Sequence, residues 1–184
     1  MTATILLDVD GVLADFRGRA AMDAEKLGFK LSSGYDLHYG LPEGARASLR
    51  AMVGEPGWCR SIEPYPGAVN AVEQLRDCCN IYFVTQPWPS HTWESDRRAW
   101  LVAFFPILPY NIISCFEKSM ICGDVFIDDL PTNVRAWRRR QKGAAFLWHQ
   151  PHNELNGSEL DRIGVDGWRD DVVERIIKAA EDAE

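Results

Sequence analysis

The sequence TILLDVDG, residues 4–11, decides the fold of this chain. Its apolar and β-branched start predicts a buried strand over Thr4–Val9. Because side chains two residues apart along a strand point to the same side, we expect Asp8 and Asp10 to face one space where this strand ends. Two carboxylates held close repel each other unless a proton or a cation lies between them. The stretch therefore indicates a cation site, with an acidic turn after a strand as the alternative.

A second acidic pair follows a second apolar run in residues 126–129, FIDD. The carboxyl ends of parallel strands meet at one edge of a sheet, where open α/β sheets bind their ligands. Two acidic pairs at that edge are too costly to bury without a cation, and Mg²⁺ prefers oxygen ligands. Asp129 could instead cap the helix that Pro131 begins, but such a cap accounts for one carboxylate and not for both pairs.

Strand-like and helix-like segments alternate along the chain, which predicts an α/β fold: a Rossmann-like, mostly parallel sheet with helices on both faces. After the first helix, a segment rich in Gly, Pro, Tyr and Ser interrupts this alternation. We predict a small helical cap over residues 16–62, inserted after the first strand, and a core domain over residues 1–15 and 63–184. The predicted later strands are Asn80–Thr85, Asn111–Ser114, Asp124–Ile127 and, as the last, Ala144–Trp148. The predicted helices are Asp15–Leu27, Glu43–Val53, 66–76, Trp93–Phe104, Pro131–Arg140 and Trp168–Ala180.

Charge and cysteine content narrow the range of partners. A formal net charge of −7 over 184 residues argues against a nucleic-acid polymer, which selects basic surfaces. It does not argue against a small anion, because a bound metal ion can reverse the field inside one cleft. Five scattered cysteines are typical of a reduced, cytoplasmic protein, and no segment is typical of a membrane span.

Two further residues stand where they could bind phosphate. Thr85 ends the strand Asn80–Thr85, where a hydroxyl and free backbone N–H groups can hold phosphate oxygens. Lys118 precedes the acidic strand, although a single lysine is more often a solvated surface residue. The four histidines show no metal-binding spacing, and we expect His149 and His152 in a surface loop.

Residues 8–16, DVDGVLADF, resemble the opening motif of the haloacid dehalogenase superfamily. Thr85, Lys118 and residues 128–129 fall where the second, third and fourth motifs of that superfamily stand. Within it, the chain most resembles the 5'(3')-deoxyribonucleotidases. The closer likeness lies in residues 8–16, 55–58, 64–68 and 123–129, and less strongly in residues 148–153.

The resemblance implies a role for each motif residue. Asp8 would be the nucleophile that forms an aspartyl-phosphate. Asp10 would protonate the leaving oxygen and then activate water. Lys118 would neutralise the phosphoryl oxygens and restrain Asp8. Thr85 and nearby N–H groups, including that of Gly11, would complete the phosphate cradle.

The resemblance also implies Mg²⁺ as the cofactor. The ion would be held by the Asp8 carboxylate, the Asp10 backbone carbonyl and an acid of the fourth motif. We favour Asp129 as the direct ligand, with Asp128 acting from behind it or through water. All four aspartates are therefore candidate residues of the metal site.

The chain departs from the nucleotidase pattern at two positions. Gln86 stands where a serine is expected, and this bulkier side chain could reshape the contact with phosphate or sugar. Phe116 stands where a basic residue is expected just ahead of the lysine. Both departures leave room for a phosphate substrate other than a nucleotide.

Aromatic residues in and near the predicted cap could offer their faces to a nucleobase. We expect substrate contact from Phe16, Trp58 and Trp88. We expect Tyr35 and Tyr39 to pack the cap on the core instead.

These observations predict a Mg²⁺-dependent hydrolase that dephosphorylates deoxyribonucleoside monophosphates. The expected partner is this small phosphate, with no nucleic-acid polymer and no membrane, and the sequence leaves a homodimer open. One alternative is a phosphatase of the same superfamily that acts on another small phosphate, such as a sugar phosphate. The other is a module that binds phosphate without turnover.

Overall fold

The computed structural model describes residues 2–105 and 109–183. The strands are β1 (Thr4–Leu7), β2 (Asn80–Thr85), β3 (Ile112–Ser114), β4 (Val125–Asp128), β5 (Ala144–Trp148) and β6 (Asp161–Ile163). The helices are α1 (Phe16–Lys26), α2 (Glu43–Val53), α3 (Ala68–Cys78), α4 (Trp93–Phe104), α5 (Pro131–Arg140) and α6 (Asp170–Glu181). The strands form one sheet in the order β3-β2-β1-β4-β5-β6, and each pairing is parallel.

Helices cover both faces of this sheet, and the side chains of β1 show why. Successive residues of a strand point to opposite faces. Ile5 and Leu7 are buried in the larger apolar cluster, which includes residues of α3, α4 and α6. Leu6 is buried on the other face, with Val134 and Trp137 of α5. The predicted α/β fold with a mostly parallel sheet is confirmed. No helix in the described part of the chain is long and apolar enough to cross a membrane.

The strand order places the ends of β1 and β4 at a functional position. The chain runs from β1 outward to β2 and β3, and then returns to β4 on the other side of β1. This reversal is the switch point at which open α/β sheets bind their ligands. Leu7 of β1 pairs with Ile127 of β4, so the acidic residues that follow each strand lie side by side.

The sheet differs from the prediction at two places. β1 ends at Leu7, so Asp8 and Asp10 lie in the loop after the strand and do not share its extended run. The prediction of Ala144–Trp148 as the last strand is wrong, because β6 follows it as an edge strand beside β5. β6 has three residues, and two of them are charged, so no apolar period of two is visible in the sequence. The other predicted elements agree with the structure within two residues at each end.

Residues 16–62 contain α1 and α2, as the predicted helical cap requires. Ala20 of α1 and Leu49 of α2 are buried in the same apolar cluster as β1. One continuous cluster thus runs through the predicted cap and the predicted core, and the division between them stays a prediction. Residues 1, 106–108 and 184 of the predicted core lie outside the described residues.

Candidate active site

Acidic residues from two neighbouring strand ends meet at one point. Asp8, Asp128 and Asp129 are buried, and one carboxylate oxygen of each lies within 4.8 Å of the others. The backbone N–H of Asp8 donates to Ile127 O at 2.9 Å, which holds the two loops together. Burial raises the pKa of Asp8 well above its ordinary value, and the attraction of Lys118 offsets only part of that shift. The structure therefore brings the two predicted acidic pairs together.

Lys118 lies between two of these carboxylates. Its Nζ is 2.6 Å from Asp8 Oδ1 and 2.8 Å from Asp128 Oδ2, and its side chain is buried. Burial by itself would lower the pKa of Lys118, but the two carboxylates raise it above its ordinary value. The lysine is therefore a fixed positive charge in the site and not the solvated residue that its sequence context left possible.

The two acids of the second pair have different surroundings. The Asp128 carboxylate accepts hydrogen bonds from Lys118, from the Leu130 N–H at 2.8 Å and from Asn133 Nδ2 at 3.0 and 3.1 Å. Asp129 Oδ2 lies 3.2 Å from His152 Nε2. Both oxygens of Asp128 are thus used in hydrogen bonds, one of them to Lys118, whereas Asp129 has a carboxylate oxygen that can bind a further ligand.

The charges of this cluster fit a divalent cation. Three carboxylates (Asp8, Asp128 and Asp129) face one ammonium group (Lys118), which leaves two negative charges in excess. Buried charges of one sign are costly unless a counter-charge lies among them. Carboxylate oxygens are the hard ligands that Mg²⁺ prefers, so the donor set suits that ion.

Gly11 permits the close approach of the two strand-end loops. Its φ is +83°, and a Cβ at this position would lie 2.0 Å from Asp129 Oδ2. A residue with a side chain would therefore displace Asp129. The N–H of Gly11 donates to Ala14 O at 3.0 Å, so it is used within its own turn, and the structure does not offer it to phosphate as the sequence led us to expect.

Asp10 lines the cavity above the cluster and is paired with a residue that sequence analysis missed. Nη2 of Arg97, on α4, donates to Asp10 Oδ1. Burial raises the pKa of Asp10, and the attraction of Arg97 lowers it in part. A sequence signal for Arg97 did exist, because it shares one helical face with Trp93 and Trp100 at a spacing of four and three residues. A cation on an apolar stripe is unusual without a buried partner.

The remaining motif residues differ in where they lie, and of Thr85, Gln86 and Phe116 only Gln86 lines the cavity. Thr85 is buried at the end of β2, and its Oγ1 has no hydrogen-bond partner among the described residues. A buried hydroxyl without a partner is costly, which suits an oxygen ligand that completes the site. Gln86 lines the cavity. Phe116 is 78% exposed, so the position where a basic residue was expected carries an apolar surface residue.

One cavity of about 450 Å³ opens over the acidic cluster. This volume is within the range of small-molecule sites. Its charged lining includes Asp8, Asp10, Arg17, Lys118 and Asp129. Its rings belong to Phe16, Tyr35, His38, Trp88, Trp93 and His152.

The predicted roles of the aromatic residues need correction. Phe16 and Trp88 line the cavity as expected, but Trp58 does not. The Trp58 ring is buried against Phe16 at 5.4 Å between ring centroids, so it supports a lining residue. Tyr39 is 71% exposed and does not pack the cap on the core. Tyr35 is 57% exposed and lines the cavity, and its ring centroid lies 5.5 Å from that of His152, so it does contact the predicted core. Sequence alone does not show which aromatic ring faces the core, because all are suited to either position.

The expectation that His152 lies in a surface loop is wrong. Its side chain is 2% exposed and lines the cavity beside Asp129. The loop after β5 folds over the site because Asn153 Nδ2 donates to Asp129 O at 2.7 Å and Gln150 Nε2 donates to Gly11 O at 2.6 Å. These amide groups connect a third strand end to the two acidic loops.

The fold and the acidic cluster define the chain as a haloacid dehalogenase-like α/β protein. The structure is similar to the crystal structure of a haloacid dehalogenase-like family hydrolase from Xanthomonas campestris, with a TM-score of 0.59 over 98% of this chain and 93% of that chain. The two sequences are 12% identical, so this likeness shows the fold alone.

The chain belongs to the family described as 5' nucleotidase, deoxy (pyrimidine), cytosolic type C protein, whose model matches residues 2–181. A Staphylococcus epidermidis relative, named "Putative 5'(3')-deoxyribonucleotidase", is 31% identical over 172 residues, 90% of this chain and 92% of the relative. The human mitochondrial 5'(3')-deoxyribonucleotidase is 27% identical over 185 residues, 91% of this chain and 79% of the relative. The resemblance seen in the sequence motifs is thereby confirmed.

Proposed function

We propose that this protein hydrolyses the phosphate ester of deoxyribonucleoside monophosphates in a Mg²⁺-dependent reaction. The observation that carries the proposal is a single cavity that combines a buried carboxylate cluster with aromatic rings. The charged groups suit a phosphate, and the faces of Phe16 and Trp88 suit a nucleobase. The names of the relatives support the same substrate class.

The proposed reaction has two steps, and both use Asp8 and Asp10. In the first step, a carboxylate oxygen of Asp8 attacks phosphorus, the bond to the nucleoside oxygen breaks, and Asp10 gives its proton to that oxygen. In the second step, Asp10 takes a proton from water, whose oxygen attacks the aspartyl-phosphate. Inorganic phosphate leaves, and both carboxyl groups return to their starting states.

Lys118 prepares the nucleophile for the first step. Asp8 Oδ1 accepts hydrogen bonds from Lys118 and from the Val9 N–H at 2.7 Å, which leaves Oδ2 as the oxygen for attack. The carboxylates of Asp8 and Asp129 and the backbone carbonyl of Asp10 would hold Mg²⁺, with Asp128 supporting them. When bound, the ion supplies positive charge that offsets the charge on the phosphoryl oxygens.

The test is phosphate release from deoxyribonucleotides, ribonucleotides and sugar phosphates, with and without Mg²⁺, and with Asp8→Asn as the blank. Metal-dependent release that favours deoxyribonucleotides would support the proposal. Release confined to sugar phosphates would keep the chemistry and replace the substrate, as the departures at Gln86 and Phe116 allow. No release from any substrate would favour a phosphate-binding module.

A cytoplasmic location is part of the proposal. All five cysteines are free thiols, as expected for a reducing compartment. The proposed partner is the small phosphate substrate, and a homodimer stays open.

A further inference from the structure

Helix α4 carries a guanidinium on its buried face. The Arg97 side chain is 1% exposed, although arginine is almost never fully buried without a partner. Its Cζ lies 5.3 Å from the ring centroid of Trp93 and 5.1 Å from that of Trp100. Both contacts have the distance of a cation–π interaction. Trp100 is itself anchored, because its Nε1 donates to Ile62 O at 2.6 Å.

This guanidinium makes one charged contact, and the contact leads to the cavity. Arg97 Nη2 donates to Asp10 Oδ1, while Nε and Nη1 have no hydrogen-bond partner among the described residues. Arg97 is not part of the cavity lining, whereas Asp10 is, with a side chain that is 25% exposed. Burying a charge with so few partners is costly. We therefore attribute the buried position of the Arg97 guanidinium to its contact with Asp10.

The contact occupies one of the two carboxylate oxygens of Asp10. Guanidinium is a donor only and cannot accept a hydrogen bond. Oδ1 is occupied by the Arg97 N–H, so Oδ2 is the oxygen of Asp10 that this contact leaves available to a ligand in the cavity. We propose that Arg97 is a positioning residue that holds Asp10 through Oδ1 and so presents Oδ2 to the leaving oxygen of the substrate. This inference rests on the proposed function, in which Asp10 is the acid.

A second arginine–aspartate pair, between the partly exposed Arg60 and Asp96 of α4, provides a control. Asp96 is the residue that precedes Arg97 in the chain, and its Oδ1 is 2.6 Å from Arg60 Nε. The Asp96 carboxylate also accepts a hydrogen bond from the Gly57 N–H at 2.7 Å. Neither Arg60 nor Asp96 lines the cavity. Arg60→Met therefore removes an arginine–aspartate pair from α4 without touching Asp10.

The experiment compares two phosphate esters whose leaving groups differ. A nucleoside alkoxide needs a proton to leave, whereas 4-nitrophenolate leaves without one. For each variant, kcat/KM is measured with a deoxyribonucleoside monophosphate and with 4-nitrophenyl phosphate, because kcat/KM reports the steps through phosphoryl transfer to Asp8. The ratio of the two values is independent of the fraction of enzyme that is folded and active.

Arg97→Met is expected to lower kcat/KM for the nucleotide about 100-fold, within the range of acid catalysis, and to lower that for 4-nitrophenyl phosphate less than about 5-fold. Arg97→Lys keeps a donor-only cation and is expected to recover at least about a tenth of the nucleotide activity. Arg60→Met is expected to leave the ratio unchanged.

Equal losses for both esters in Arg97→Met would overturn the proposal, since a purely structural defect affects both alike. The same change of ratio in Arg60→Met would also overturn it. If Arg97→Lys recovers no more nucleotide activity than Arg97→Met, the donor role is wrong. Failure of the proposed function is a separate outcome, because the unaltered protein would then not hydrolyse deoxyribonucleotides at all. If it hydrolyses another alkyl phosphate instead, that ester replaces the nucleotide in the comparison.

Discussion

Two regions of the cavity are held in place by different forces. The strand-end cluster consists of Asp8, Asp10, Lys118, Asp128 and Asp129, and the aromatic lining consists of Phe16, Tyr35, His38, Trp88 and Trp93. In the strand-end cluster, Lys118 pairs with Asp8 and Asp128, Asp10 pairs with Arg97 of α4, and Asp129 contacts the His152 ring. In the aromatic lining, the rings contact one another at centroid distances such as 6.0 Å. Within residues 2–105 and 109–183, polar atoms such as Trp93 Nε1 and His38 Nε2 have no hydrogen-bond partner.

This difference suggests that the strand-end cluster serves the proposed reaction and that the aromatic lining serves substrate recognition. Hydrogen bonds and ion pairs at the strand ends fix the charged groups relative to one another, and the proposed phosphoryl transfer depends on such positioning. Ring contacts are less directional, so the aromatic lining can change its substrate without disturbing the chemistry. Substitutions at Asp8, Asp128 or Asp129 should therefore lower turnover of every substrate alike, and substitutions in the lining should change the choice between substrates.

The largest effect is expected in the strand-end cluster. Asp8→Asn removes the nucleophilic carboxylate and should lower kcat at least about 10⁴-fold for nucleotides and for small phosphate esters alike. Phosphate release under saturating substrate measures it. A loss of activity that is confined to nucleotides would show that Asp8 acts in substrate recognition and not in the reaction.

The next largest effect is on the Mg²⁺ requirement, and it distinguishes Asp128 from Asp129. Asp129→Asn should raise the Mg²⁺ concentration for half-maximal activity at least about 100-fold, because a direct ligand is lost. Asp128→Asn should raise it about 10-fold, as expected for a residue that supports the ligands through Lys118. Titration of activity with Mg²⁺ measures both values. The reverse order would make Asp128 the direct ligand.

A smaller effect is expected in the aromatic lining. Phe16→Leu keeps apolar packing but removes a ring face, and should lower kcat/KM for a deoxyribonucleotide about 10-fold. The value for a small phosphate ester should change less than about 2-fold. Tyr39→Leu, in the same predicted cap but outside the cavity lining, is the control and should change neither value. Equal losses with both esters would exclude base contact by Phe16.

The smallest effect on turnover is expected behind the aromatic lining, at Asp23 of α1. Burial would raise the pKa of this carboxyl group. Hydrogen bonds from Arg19, Lys26 and Trp58 outweigh burial and lower the pKa to about 2, below its ordinary value of 3.8. The charged form is therefore favoured by folding, and its contribution is complete above about pH 5 and is lost as the pH falls through 2.

Asp23→Asn should accordingly lower the free energy of unfolding by about 2 kcal/mol at pH 7, and by progressively less below pH 4, while kcat changes less than about 2-fold. Urea unfolding at a series of pH values measures this difference. Asp77→Asn, at an exposed position of α3, is the control and should stay within about 0.5 kcal/mol at each pH. A difference for Asp23→Asn that does not shrink in acid would contradict the assigned cause.

Sequence analysis located the acidic residues at the strand ends, because a local pattern is enough to find them. An apolar run followed by two acids marks the end of a buried strand; Asp8, Asp128 and Asp129 lie together, and Asp10 lines the same cavity. The same reasoning failed for Trp58, Tyr39 and His152, whose exposure depends on contacts with distant segments. It also failed for β6, which is too short and too charged to show a period.

The sequence by itself determined the alternation of strands and helices, the acidic pairs after β1 and β4, and the family to which these motifs point. These features are local in the chain, and each is set by hydrophobic period and residue type. Only the tertiary structure decided that Arg97 contacts Asp10 and that Asn153 joins the loop after β5 to Asp129. These contacts join residues 87 and 24 positions apart, and no local pattern encodes which distant partner satisfies a buried polar group.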